Sequence, residues 1–314
     1  MGEFLKIVGE MPWWFWVAFW FFIGSFVGSF INVVVYRLPR NCLSVNKPSR
    51  SFCPSCKTQL KAKDNLPIIG WALLRGKCRY CGVKYGIRYP LVELLVATLF
   101  AVSSYAVLYD YGARNLAADP WAWLTLVYVL GIIGVLVPWA LIDFDLTYIP
   151  DKLTLGPLVV FVPLGAHAAG PRFGLGSGVD HLLFKFEPTW LNSMLSVVVT
   201  GVLAALALWL IGKIAKVVFR KRAAEIGGEA MGLADVKLMI LLGVMLGWPK
   251  LVAGFFIAIF VGATLGIIQL ALKKGHGVPF GPHLAFGAIT ATLAMPWLLA
   301  AADWYMELLG GLAK

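Results

Sequence analysis

The chain has 314 residues, 60% of them hydrophobic and only 14% charged, with a mean hydropathy of +0.81. That is more apolar than a water-soluble domain sustains, so the composition excludes an ordinary soluble enzyme and points to an all-α polytopic membrane protein. The net charge of +11 is the signature a nucleic-acid binder would carry, but the bases lie beside apolar runs, where lipid attraction and topology account for them, and no nucleic-acid partner is expected.

A bilayer core of roughly 30 Å takes about 20 apolar residues per helical span. Read in chain order, the sequence offers about eight transmembrane helices, near 12–36, 89–109, 121–142, 153–168, 189–212, 235–248, 251–271 and 284–303. The fourth and sixth are short, and seven spans would also satisfy the pattern. Lys6 and Glu10 precede an apolar run too long for a signal peptide, so the first helix is expected to stay in the mature chain. Small residues recur four apart at Gly24/Gly28, Gly243/Gly247 and Gly262/Gly266, a spacing that lets membrane helices pack closely. The loop at 165–188 holds Gly165, Gly170, Gly174, Gly176 and Gly178 and reads as an irregular connection, with His167 and His181 at the surface.

Between the first two spans lies the one insert long enough for a fold of its own. Segment 37–88 carries twelve Lys and Arg residues against the single acid Asp64, and basic residues resist translocation, so the insert is expected on the cytoplasmic side. Lys213, Lys216, Arg220, Lys221, Arg222, Lys273 and Lys274 fall on the same side if eight helices alternate. The expected organisation is therefore a first helix at 1–36, a cytoplasmic insert at 37–88 and a transmembrane core at 89–314.

The insert contains Cys53-Pro-Ser-Cys56 and Cys78-Arg-Tyr-Cys81, two C-x2-C pairs with 21 residues between them. This is the spacing of a zinc ribbon: each pair sets two thiolates on one side of a tight turn, and four thiolates fill a tetrahedral Zn2+ with no open position, which makes a structural site. Disulfides are the alternative, but cytoplasmic thiols stay reduced, which favours metal. The metal would supply folding energy that so small and basic an insert lacks. Cys42 is left over as an incidental thiol.

Ionisable side chains at the ends of apolar spans are costly and mark functional sites by default. Two clusters qualify. The first is Asp143-Phe-Asp145 with Asp151, where the third span runs into the fourth; the second is Met231-Gly-Leu-Ala-Asp235-Val-Lys237, where the sixth begins. In the alternating topology both face the cytoplasm and meet if the two helices pack together. Two carboxylates at close range cannot both ionise cheaply, so one holds a proton while the other acts as base, which is aspartic-peptidase chemistry. The competing reading has Asp235 at a helix start and Asp143, Asp145 and Asp151 in interfacial water. Spacing alone leaves both open. Walker-type, H-E-x-x-H and G-x-S-x-G motifs are missing from the sequence, which argues against ATP hydrolysis, zinc hydrolases and serine hydrolases. His276 and His283 read as loop residues of structural or surface character.

Taken together the motifs resemble the bacterial type IV prepilin peptidases, membrane-embedded aspartic peptidases. The resemblance rests on Gly28-Ser-Phe-Ile-Asn32 through Tyr36-Arg-Leu-Pro39, the two cysteine pairs with Asn65-Leu-Pro-Ile-Ile-Gly-Trp71 between them, Arg88-Tyr-Pro-Leu-Val-Glu93, the two aspartate clusters and Pro279-Phe-Gly-Pro282. It implies a catalytic pair of Asp143 and Asp235, with Asp145, Asp151 and Lys237 in supporting positions. It also implies prepilin and pseudopilin substrates, cleaved after a glycine at the cytoplasmic face of the bacterial inner membrane. S-adenosylmethionine would then serve N-methylation of the new N-terminus. The sequence departs from the family at Ala234, where a second glycine is usual; a methyl group there is compatible with a backbone at negative φ. Methyl transfer rests on the resemblance alone, since the insert holds no G-x-G-x-x-G fingerprint. The readings from other classes are a transporter with buried carboxylates, which would want its acids at mid-membrane, and a non-catalytic assembly factor with a zinc-stapled cap.

Overall fold

The computed structural model describes residues 2–40, 51–148, 150–168, 190–218, 233–272 and 280–312. Cys42, Gly170 to Gly178, His181, Arg220 to Arg222, Gly232, Lys273, Lys274 and His276 lie outside the described residues. The helices are α1 (Gly2–Glu10), α2 (Trp13–Arg37), α3 (Ile69–Leu73), α4 (Arg88–Leu108), α5 (Pro120–Leu146), α6 (Asp151–Thr154), α7 (Leu158–Ala168), α8 (Trp190–Val218), α9 (Leu233–Ala271) and α10 (Gly281–Leu312). Among the described residues the only β pairing is two isolated bridges, Phe52 with Gln59 and Lys77 with Lys84.

Helix occurs at each of the eight expected places, but among the described residues five spans are long and apolar enough to cross a membrane: Trp13–Arg40, Arg88–Leu108, Pro120–Leu146, Ser193–Val217 and Ala234–Gln269. The expected eighth span, which falls on α10, is not among the five, and the other two differences from eight have identifiable reasons. The expected fourth span is split into α6 and the 11-residue α7, and at 1.5 Å per residue α7 covers only about half of the hydrocarbon core. The expected sixth and seventh spans are the two arms of α9 and count as one span, although they are divided at Gly247, whose φ of 68° and ψ of 169° leave the helical region two residues before Pro249. Glycine reaches that conformation without steric cost, and proline removes a backbone donor from the following turn.

The chain forms two compact units, Met1–Ile142 and Asp143–Lys314. In the first, α2 packs along α4. A methyl group on Gly28 would stand 2.7 Å from the Glu93 Cα, and one on Gly24 would stand 2.8 Å from the Ala97 Cα. Close approach of two membrane helices needs such side-chain-free positions, because hydrocarbon offers no hydrophobic drive for their association. The outward faces carry Phe22, Phe26, Phe30, Leu91 and Leu95, a surface suited to lipid. Aromatic rings crowd the start of α2, where Trp16 meets Trp123 edge-on at 4.7 Å and Trp13 meets Tyr105 at 5.7 Å. Such belts sit at the membrane interface. The α1 helix is tied down nearby by Asn115, which donates to the Gly9 carbonyl at 2.9 Å.

In the second unit α9 packs against α8, α10 and α7. Gly243 faces Gly201, where an added methyl group would come within 2.6 Å of the partner Cα, and Gly254 and Gly287 meet backbone to backbone where α9 crosses α10. Gly24, Gly28 and Gly243 thus do pack as their spacing suggests. Gly247 breaks a helix, and Gly266 has open space around it.

Candidate active site and metal centre

The cysteine module is built from two turns of the same design. Cys53 N–H donates to the Thr58 carbonyl at 2.9 Å and Lys57 N–H returns to the Cys53 carbonyl at 2.9 Å; Cys78 and Val83, and Gly82 and Cys78, repeat the pattern at 2.8 and 3.0 Å. The fourth residue after the first cysteine has positive φ in both turns, 59° at Lys57 and 72° at Gly82. Glycine takes this at no cost, whereas lysine bears about 1–2 kcal/mol. A bridge flanks each turn, Phe52 with Gln59 and Lys77 with Lys84.

These turns bring Cys53, Cys56, Cys78 and Cys81 together, with all four sulfurs within 4.8 Å of one another. The Sγ atoms of Cys53 and Cys81 are 3.8 Å apart. A tetrahedral site with Zn–S bonds of about 2.3 Å has edges of about 3.8 Å, so the donor set fits Zn2+. Backbone N–H groups aim at the sulfurs, including Tyr80 N–H to Cys78 Sγ at 3.5 Å. Burial raises the Cys53 thiol, but the neighbouring Tyr85 hydroxyl and the N–H groups of Cys56 and Ser55 outweigh it and hold it down to about 6. Hydrogen bonds from the Cys81 and Tyr80 N–H groups lower Cys78. The Val83 N–H lowers Cys81, yet desolvation and the three other sulfurs prevail and push it up to about 11. Four crowded sulfurs that cannot all ionise alone are the electrostatic condition a cation relieves.

A bidentate ion pair braces the module. Arg79 Nε lies 3.0 Å from both oxygens of Asp64, and its Nη2 lies 2.6 Å from Oδ1. Hydrogen bonding to Arg79 holds the Asp64 carboxyl below the usual range against the opposing effect of burial. Asp64, the single acid of the basic insert, is thereby accounted for.

The aspartates divide by environment. Asp143, on the last turn of α5, is only 8% exposed, so interfacial water does not surround it. Its Oδ2 accepts a hydrogen bond from Gly281 N–H at 3.1 Å, at the first residue of the 32-residue α10, where the helix dipole favours negative charge. Asp235 lies in the first turn of α9 and is half-buried. The two carboxylates are within electrostatic range of each other, so the structure brings together the two clusters that are 92 positions apart in the sequence. Asp145 and Asp151 are exposed, and Asp151 Oδ1 pairs with Lys237 Nζ at 2.8 Å. Ala234 lies within α9 and is not among the positive-φ residues, which meets the condition for an alanine there.

Two features escape sequence reasoning. Pro279-Phe-Gly-Pro282 is visible as a motif, but that Gly281 donates its N–H to Asp143 is a backbone fact no residue type announces. Glu93, five residues into α4, is only 8% exposed and accepts the Ile68 N–H at 2.6 Å; a lone acid in an apolar run is the signal that could have singled it out.

Comparison with known proteins agrees in extent and order. Residues 22–107 match the bacterial peptidase A24 N-terminal domain and residues 129–267 match the type IV leader peptidase family. A prepilin leader peptidase/N-methyltransferase of Aeromonas salmonicida is 31% identical, over 98% of this chain and 99% of the relative. Proteins of the same description from Neisseria gonorrhoeae and Pseudomonas aeruginosa are 31% and 30% identical, over 90% and 88% of this chain and 92% and 88% of theirs. No solved structure matches. With helices at every expected place and near-full-length relatives at this identity, the chain is a multi-pass membrane protein that belongs to the type IV leader peptidase family.

Proposed function

We propose that this protein cleaves the leader of prepilins and pseudopilins with Asp143 and Asp235 as its catalytic pair, and then methylates the new N-terminus. The observation that carries the reading is the setting of Asp143: a carboxylate shielded from solvent, held by the N-terminal N–H of α10 and facing a second acid. In such a pair one carboxylate takes a proton from the attacking water while the protonated partner polarises the peptide carbonyl and then protonates the leaving amine. No covalent intermediate is needed. The exposed Asp151–Lys237 ion pair supports the site from outside by joining α6 to the first turn of α9.

The twelve bases of segment 37–88 support a cytoplasmic placement of the insert, at the inner membrane of a bacterium, which is the side from which a short basic leader would be presented. Cys53, Cys56, Cys78 and Cys81 hold a structural Zn2+ in this reading. When bound, S-adenosylmethionine supplies an electrophilic methyl group on a sulfonium, which becomes a neutral thioether as the new N-terminal amine gains the methyl and gives a proton to water. The test is mass spectrometry of a purified prepilin incubated with the protein. The account expects loss of the leader, and a further gain of one methyl group when S-adenosylmethionine is added; an uncut prepilin across several cognate substrates would contradict it.

A further inference from the structure

The cysteine module carries an apolar ridge that no other described residue covers. One side of the short helix α3 faces the module: Gly70 sits against the Asp64 backbone, and Trp71 lies over Gly76 and donates through Nε1 to the Tyr85 carbonyl at 3.3 Å. The other side presents Ile69, Ala72 and Leu73, whose i, i+3 and i+4 spacing puts them on one face. Ile69 is 58% exposed and Leu73 73%. An insert surfaced with lysine and arginine gains nothing in water from such a ridge.

The depth of α3 identifies what meets the ridge. The 21 residues of α4, at 1.5 Å each, reach about 30 Å, the thickness of the hydrocarbon core, so Arg88 stands at the membrane edge. Glu93 is five residues further along the helix, roughly 7 Å below that edge, and its Oε2 accepts the Ile68 N–H at 2.6 Å. The residue that precedes α3 is therefore held deeper than Arg88. The turn there is enforced, since Ile68 has φ 61° and ψ −56°, a conformation a β-branched residue keeps only where its surroundings hold it. The same stretch of α4 exposes Leu91, Leu94 and Leu95, a surface that lipid covers.

Charge supplies the second observation. Lys77, which follows α3 closely, stands opposite Lys84 in an antiparallel bridge, and both side chains are exposed. Like charges directly opposite one another across a bridge repel, and an anion held between them removes the penalty. No acid of the insert does this, because Asp64 is the single acid of segment 37–88 and is engaged by Arg79. We propose that α3 lies in the cytoplasmic leaflet, with Ile69, Ala72 and Leu73 among the acyl chains and Lys77 and Lys84 sharing the phosphate of an anionic phospholipid. The inference rests on the cytoplasmic placement of the insert proposed above. Interfacial helices set their apolar side about 5–10 Å into the boundary between headgroups and acyl chains, which is the depth at which Glu93 holds Ile68. The partner of this surface is thus the membrane that α2 and α4 already cross, and the contact fixes the cysteine module against it.

The experiment replaces Leu73 by a fluorescent amino acid in the full-length protein, in lipid nanodiscs, and compares two quenchers: bromine on the acyl chains and iodide in the water. Bromolipid is expected to quench about threefold more strongly than iodide. Stronger quenching by iodide overturns the insertion, and protection from both quenchers overturns it too, because protein would then cover the ridge. The headgroup contact is read from the binding of spin-labelled phosphatidylglycerol relative to spin-labelled phosphatidylcholine. Lys77→Gln combined with Lys84→Gln is expected to lower that preference by about twofold or more. An unchanged preference, or an equal loss in Lys61→Gln combined with Lys63→Gln, overturns the shared phosphate site. Zinc content equal to wild type reports that each variant is intact. Protease access to the insert in sealed inverted vesicles tests the cytoplasmic placement separately: bromolipid quenching with a protected insert means that the placement fails while the lipid contact stands.

Discussion

The two ion pairs described above differ in what they contribute. The Asp151–Lys237 pair leaves the lysine 41% and the aspartate 64% exposed, and exposed pairs are worth about 0–1 kcal/mol. Lys237→Met is therefore expected to shift unfolding stability by less than about 1 kcal/mol, measured by denaturation in detergent. Asp64 is enclosed, and its carboxyl is lowered by Arg79. A carboxyl whose folded value is depressed adds stability that is complete above its unfolded value, about 3.9, and is lost as pH falls through the folded one. The cysteine module, followed by Trp71 fluorescence, should accordingly keep this contribution at neutral pH and lose it in acid below about pH 4. In Asp64→Asn that acid-dependent component should be missing.

At the scale of the element, the cysteine module and the helix crossings were legible to different degrees. Two C-x2-C pairs announce a metal turn because only that spacing sets paired sulfurs on one side of a tight loop. The account expects about one zinc per chain, and its loss when Cys53 and Cys78 are both replaced by Ser, read by elemental analysis; full occupancy in that variant would exclude a four-cysteine site. Gly28 and Gly24 were legible as a packing pair because both residues of the contact surface lie four apart on one helix. Gly243 was legible as a packing position by its spacing, but its partner Gly201 and the contact of Gly254 with Gly287 were not, since each contact pairs single glycines from different helices. With 2.6 Å between an added methyl group and the Gly201 Cα, Gly243→Ala should destabilise by about 1–3 kcal/mol, measured by unfolding in mixed detergent. Gly266→Ala, with nothing within 4 Å, should not. The break in α9 was visible in the sequence: Trp-Pro after Gly247 marks a boundary between two helices, and the backbone leaves the helical region at Gly247.

For the molecule as a whole, hydropathy disclosed a membrane protein and the order of its parts, because apolar runs and charged loops report on solvent directly. What it left open was the choice between a catalytic pair and acids in interfacial water, since burial is a property of the fold. Burial supports the proposed pair: Asp143 is enclosed and anchored to Gly281, while Asp145 and Asp151 are exposed. This arrangement, together with the family relationship, also weighs against a transporter. Such a protein would place its acids along a path through mid-membrane, and here they lie at the end of α5 and the start of α9.

The central claim is that Asp143 and Asp235 act as one acid–base pair, and single-turnover cleavage of a purified prepilin by wild type, Asp143→Asn and Asp235→Asn tests it most directly. Each amide is nearly the size of the acid it replaces and can neither take nor give the proton, so both variants should remain folded and zinc-loaded while losing at least about 10²–10⁴-fold in rate. Replacing both together should lose little more than either alone, because the two carboxylates work as a unit. Cleavage at near wild-type rate by either single variant would contradict the account.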